Sequence, residues 1–155
     1  TRAISSDNHP GVVFDWDVPS FWEVKVHPFD ADFADDVYLS LRACQGTRHP
    51  NTVAVLEDLS FVVSLRDGNG VTSSVNIAAY GGGSEEPYQR SGFLAGAGVG
   101  WHNEMETIRI RISDFLANGS DINLHIIDAI RLEFGGPGTS AIGRMGLDDI
   151  EVTKD

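Results

Sequence analysis

The sequence predicts an all-β chain, a two-sheet antiparallel β-sandwich of about eight or more strands. Three observations predict it. Apolar residues recur at every second position in several separate segments, the spacing that leaves one face of a strand dry. Gly, Asp, Asn and Pro punctuate those segments as turn residues do. Composition leans the same way: 17 Gly, 15 Asp against 8 Glu, and only 2 Lys in 155 residues suit turns and oxygen-rich loops better than helices.

Taken in chain order, residues 12–17 and 21–26 are the first strand candidates. Val37, Leu39, Leu41 and Ala43 alternate with Tyr38, Ser40 and Arg42. Leu59, Phe61, Val63 and Leu65 form the next apolar set, ended by Arg66-Asp67-Gly68-Asn69-Gly70. The Asp-Gly and Asn-Gly pairs there tolerate positive φ and mark a hairpin. Its return strand is expected over 71–80, with Val75, Ile77 and Ala79 on one face. Residues 81–103 are glycine-rich and read as a surface loop or a bulged strand. Ile108, Ile110 and Ile112 then alternate with Thr107, Arg109 and Arg111, and Ile130, Leu132 and Phe134 with Arg131 and Glu133. The last strand is expected near 144–153. Helix is limited to one turn at 113–116, stopped by Asn118-Gly119, with another turn near 121–125. No repeat or linker divides the chain, so residues 1–155 are read as a single domain, loose at 1–10 and 154–155.

A domain of this length can bury a core without metal or disulfide, and Cys44, the sole cysteine, forms neither an intrachain bridge nor a cysteine zinc site. No apolar run approaches the ~20 residues of a membrane helix. The net charge of −12, without a basic run, removes the counterion release that drives nucleic-acid binding. The chain opens at Thr1 without a charged-then-apolar leader, so a processed or excised segment of a longer parent is expected.

Three constellations carry chemistry. Asp15 and Asp17, then Asp30, Asp32, Asp35 and Asp36, then Asp148 and Asp149 could converge if the first and last strands are neighbours, and calcium takes six to eight such oxygens; the alternative is a set of solvated loops. The run from Asp30 lacks the glycine and glutamate of an EF-hand. Trp101, Tyr80 and Tyr88 stand outside or at the ends of the clear strands, where rings can stack on sugar C–H faces, or else fill the ends of a sandwich; Trp16 and Trp22, nearer core strands, are expected to be structural. Arg42, Arg66, Arg109, Arg111 and Arg131 all fall on the polar parity of their strands. On one sheet they would form a patch suited to carboxylate or sulfate; the alternative is ordinary cross-strand ion pairs.

Catalytic signatures are sparse. Glu104 and Glu106 share a strand parity and could approach the ~5 Å of a retaining glycosidase pair. The five histidines show no metal-ligand spacing, and no Gly-x-Ser-x-Gly elbow is present. Gly96-Ala97-Gly98-Val99-Gly100 lacks the lysine of a phosphate loop.

Two segments resemble a known fold family. Trp101, the alternating Ile108, Ile110 and Ile112, and the closing Ser113-Asp114-Phe115 are similar to a tryptophan-to-"S-D-F" stretch of galactose-binding-like β-jelly-roll domains. Residues 130–134, a glycine-rich turn, and Gly146-Leu147-Asp148-Asp149-Ile150-Glu151-Val152 resemble their closing strand pair. The resemblance implies a jelly roll, commonly a non-catalytic carbohydrate-binding module attached to a secreted polysaccharide-degrading enzyme. It also implies a structural calcium whose ligands include Asp148 or Asp149 and early acidic groups. No glycan-contacting residue carries over by motif, so Trp101, Tyr80, Tyr88, Arg42, Arg66, Arg109 and Arg111 are ligand-binding candidates from the residues alone, and Asp15, Asp17, Asp30, Asp32, Asp148 and Asp149 the calcium candidates. The expected function is polysaccharide binding outside the cell, in a longer chain with a catalytic domain. The rivals are an accessory domain that contacts protein and a small glycoside hydrolase or lyase.

Overall fold

A computed structural model describes residues 2–3, 11–46, 58–80, 84 and 105–154. Its strands are β1 (Arg2–Ala3), β2 (Val12–Trp16), β3 (Ser20–Lys25), β4 (Tyr38–Gln45), β5 (Val62–Asp67), β6 (Thr72–Asn76), β7 (Glu106–Arg111), β8 (Ile127–Phe134) and β9 (Gly143–Thr153), with an α-helical turn, α1 (Asp114–Ala117), and 3-10 turns at Pro28–Asp30, Ile77–Ala79 and Leu124–Ile126. One sheet runs β1-β9-β4-β7, with β2 also paired to β9, and the other runs β3-β8-β5-β6. All pairings are antiparallel. The expected two-sheet sandwich is therefore the observed one. Within the segment expected to be loose, Arg2 and Ala3 pair with Val152 and Glu151.

The inward sets are those that the alternation marks. Leu39, Leu41, Ala43, Ile108 and Ile110 come from the first sheet, Val63, Leu65, Ile130, Leu132 and Phe134 from the second, and all are buried. Each large aliphatic or phenyl side chain fully removed from water is worth about 1.5–3 kcal/mol. Trp16 stacks on Phe134 at 4.6 Å and donates its indole N–H to the Ser140 carbonyl at 2.9 Å, so it is structural, as expected. Trp22 packs against the same core. A Cβ at Gly143 would lie 2.4 Å from the Trp16 ring, so only glycine lets β9 pass there.

The last strand carries one irregularity that shapes everything near it. Opposite β4 the register runs Ser40↔Glu151 and then Arg42↔Asp148, so β9 has one residue more than its partner. This β-bulge resets the parity: Met145 and Leu147 face inward before it, Ile150 and Val152 after it. Asp149 takes φ +42° at the bulge, a conformation that Asp tolerates better than most residues. Its N–H, at the break in the ladder, donates to Asp148 Oδ1 at 2.9 Å.

The hairpin falls where expected, at 67–70, but its return strand is shorter than 71–80. Asn76 ends it: Asn76 Oδ1 accepts from the Ala78 N–H at 2.9 Å and from Ser60 Oγ at 2.7 Å, turning residues Ile77–Ala79 into a 3-10 turn. Ile77 is still buried, whereas Ala79 faces solvent. Local side-chain bonding of this kind outcompetes strand pairing. No helix among the described residues is long and apolar enough to cross a membrane.

Asp67 organises the hairpin. It is 1% exposed, and its carboxylate accepts the N–H groups of Asn69, Val71 and Asn123, each at 2.9 Å. Burial alone would raise its pKa, but the N–H groups of Asn123, Val71, Asn69 and Gly70 outweigh it and hold the carboxyl below its ordinary 3.8. A depressed folded-state pKa gives stability that is present above the unfolded value and lost as pH falls through the folded one. Asp67→Ala should therefore lower stability at pH 7 by about 2–4 kcal/mol, since it leaves buried donors unpaired. Denaturant melts at pH 7 and below pH 3 check this: the gap between parent and variant should narrow in acid, and an unchanged gap would contradict the role.

Candidate functional site

The two sheets present different outer faces, and the arginines of the sequence divide between them. On the β3-β8-β5 face, Glu23 receives both forks: Arg66 Nη1 and Nη2 reach its two oxygens at 3.1 Å each, and Arg131 Nε and Nη2 reach Oε2 at 3.0 and 2.8 Å. Arg66 also binds Asp128 at 2.9 Å, as Lys25 does at 2.8 Å. The Arg131 bonds, with those of Arg66, lower the Glu23 pKa against its partial burial. Asp128 is lowered in the same way, by Lys25 first and then Arg66. Arg131 also covers the Phe21 ring at 4.2 Å. The guanidinium groups on this face are spent on tying three strands together.

The outer face of β9-β4-β7 differs. Register aligns three rows across it: Thr107–Arg42–Asp148, Arg109–Ser40–Glu151 and Arg111–Tyr38–Thr153. Between them runs a shallow furrow. One part, about 220 Å³, is lined by Ser40, Arg42, Thr107, Arg109, Asp149, Glu151 and Thr153. A second, about 460 Å³, shares Arg109 and continues past Tyr38, Arg111, Tyr80 and Asp114. Because the bulge places Asp148 and Asp149 side by side, Asp149 reaches Arg42 at 3.4 Å. Arg109 lies 5.9 Å from the Tyr38 ring centroid. Tyr80 donates its hydroxyl to Asp114 Oδ2, and burial, then Asp114, push its pKa up to about 12, so it stays a neutral donor.

The floor of the furrow holds an unusual pair. Ser40 and Thr153 are each 5% exposed, yet among the described residues neither hydroxyl has a hydrogen-bond partner. An unsatisfied buried hydroxyl is destabilising by about 1–3 kcal/mol, so each keeps hydrogen-bonding capacity that the described residues do not use.

Of the residues named from the sequence, Arg42, Arg109, Arg111 and Tyr80 meet at this furrow. Arg66 does not: it and Arg131 lie on the opposite sheet, and the single arginine patch expected from strand parity is two separate groups. Trp101, Tyr88 and Glu104 lie outside the described residues. Tyr38, Ser40, Glu151 and Thr153 were not singled out. The signal for them was their position, alternating with Leu39, Leu41, Ile150 and Val152 on the polar face of strands that the alternation itself defines.

The aspartates do not converge. Asp15 stands opposite Arg144, four positions from Asp148 along β9, about 13 Å at 3.3 Å per residue. Asp17 follows Trp16 at that same end. Asp30 and Asp32 belong to a loop held at the start of β8, where the Ile127 N–H binds the Ala31 carbonyl and His125 meets Asp32 at 3.1 Å. Trp16 packs at the other end of β8, against Phe134. No group of three or more His, Cys, Asp or Glu among the described residues is placed to hold a metal. Asp148 and Asp149 serve the bulge instead. These six residues do not fit one calcium ion.

No family model matches the chain, and no curated protein matches it. Among solved structures, it is similar to a family 30 carbohydrate-binding module, with a TM-score of 0.61 and 11% identity over 98% of this chain and 71% of that one. The family 11 carbohydrate-binding module of the cellulosomal cellulase Lic26A-Cel5E of Clostridium thermocellum aligns over 97% of this chain and 91% of that one, with a TM-score of 0.45 and 12% identity. The first likeness is one of fold. The jelly-roll sandwich implied by the two motif segments is the architecture of this chain.

The separation of the aspartates has a direct check in melting temperature measured with chelator and then with calcium. Asn in place of Asp15, Asp30 or Asp148 should leave any calcium-dependent rise as it is in the parent. Loss of that rise in all three variants would put them around one ion.

Proposed function

We propose that this chain is a non-catalytic carbohydrate-binding module that holds a polysaccharide in the furrow across β9, β4 and β7. The observation that carries the reading is the pair of buried hydroxyls at Ser40 and Thr153, without a hydrogen-bond partner among the described residues, beneath a depression walled by arginine and tyrosine. A sugar ring offers what this floor lacks, hydroxyls that both donate and accept, while Tyr38 and Tyr80 supply apolar surface for its C–H faces. The rows of the sheet set these groups on rigid strands, so little ordering entropy is spent on binding. Support from the fold is its likeness to a carbohydrate-binding module. Within this reading the chain is an extracellular accessory unit that keeps a linked catalytic domain close to its polymer, and it releases no reducing ends itself.

Binding and stability should separate at the floor. Ser40→Ala with Thr153→Val removes two buried hydroxyls that have no partner, so the melting temperature should hold or rise by a few degrees. Affinity for the bound polysaccharide should fall by about three- to tenfold for each hydroxyl. Affinity electrophoresis and calorimetry across neutral and acidic polysaccharides test this. Retention by at least one polymer, weakened in the double variant, supports the reading; no retention by any, or undiminished retention by the variant, overturns it.

A further inference from the structure

Resting on that reading, we infer that the furrow selects a mainly neutral sugar chain carrying an isolated carboxylate, a uronic acid unit, which Arg109 and Arg111 receive. Arg109 and Arg111 are two residues apart on β7 and point to the same face, their Cα atoms about 7 Å apart. Both are exposed and both line the larger part of the furrow. Among the described residues no carboxylate stands within ion-pair distance of either. Carboxylates are not scarce in this chain, with 23 acidic against 11 basic side chains, and Arg42, Arg66 and Arg131 each hold one.

The charges facing the furrow are Arg42, Arg109, Arg111, Asp114, Asp149 and Glu151. Arg42 is paired with Asp149, and Asp114 accepts the Tyr80 hydroxyl. Asp114 keeps its charge while accepting from the neutral Tyr80 hydroxyl, so the Tyr38–Tyr80 end, lined by Arg109, Arg111 and Asp114, carries two positive charges against one negative and is positive by one. A guanidinium fork fits a carboxylate with two parallel hydrogen bonds. At the other end, Glu151 and Asp149 accept hydrogen bonds from sugar hydroxyls and repel a second anionic sugar, and the net charge of −12 disfavours a polymer charged at every unit. Hence the ligand is a neutral chain with one acidic unit at the arginine end rather than a polyuronate.

Calorimetry with four probes tests this: a xylo-oligosaccharide bearing one glucuronic acid, the same oligosaccharide after reduction of its carboxyl to the alcohol, its analogue with a sulfate ester in place of the carboxylate, and an oligogalacturonate. The acid form should bind at least about tenfold more tightly than the reduced form and the oligogalacturonate, and Arg109→Gln with Arg111→Gln should abolish that preference. Equal binding of the acid and reduced forms overturns the inference while leaving carbohydrate binding in place, as does retention of the preference in the double variant. Tighter binding of the sulfate analogue overturns the choice of carboxylate. If none of the four binds while a neutral polysaccharide is held through Ser40 and Thr153, the inference fails and the proposed function stands.

Discussion

The extra residue in β9 is the constraint on which the rest of the structure depends. Without the bulge at Asp148 and Asp149, Leu147 and Ile150 could not both face the core, because strict alternation puts residues three apart on opposite faces. With it, one eleven-residue strand buries Met145, Leu147, Ile150 and Val152 and pairs β4 along its length, with β2 and β1 on its other edge. The same device sets two consecutive carboxylates on the outer face. One closes the backbone of the bulge and the other reaches Arg42. Core packing and the wall of the furrow are thus fixed by one local irregularity, as bulges near functional sites often are.

The outer faces show how similar side chains can do unlike work. Around Glu23, which is 18% exposed, two guanidinium forks and a shared Asp128 leave no charge seeking a partner, and such a network resists disruption because removing one member strands the others. Across β7, arginines on the same strand parity have solvent and a tyrosine ring beside them. The distinction comes from neighbours: β8 and β3 set Arg131 beside Glu23, whereas β7, the last strand of its sheet among the described residues, sets Arg109 beside Ser40. Whether an arginine is held by a carboxylate therefore rests on which sheet it joins, a property of long-range pairing.

Much of the fold was legible in the sequence. The alternation at 39–43, 108–112 and 130–134 marked strands and their buried faces, and Asp67 with Gly68 to Gly70 marked the hairpin, because both signals are local. The bulge was not read: the last strand was expected near 144–153 and its Asp-Asp pair as calcium ligands, although the two-three-two spacing of Met145, Leu147, Ile150 and Val152 is its trace in the sequence. What the sequence could not show was partnership. Arg42, Arg66, Arg109, Arg111 and Arg131 look alike in one dimension, and only strand order separates the spent from the available. Ser40 and Thr153 carry no motif at all; burial without a partner, which requires both neighbours to be in place, is what makes them informative. Convergence of the aspartates failed for the same reason, since adjacency of the first and last strands does not bring their separate positions within reach of one ion.

The most direct measurement is a titration of the ¹⁵N-labelled protein with a retained oligosaccharide, followed by amide chemical shifts. Progressive shifts concentrated at residues 38–42, 107–111 and 149–153, with residues 21–25 and 128–133 unmoved, are the expected result. Shifts centred on Phe21, Arg66 and Arg131 instead would place the ligand on the other sheet and contradict the assignment of the furrow.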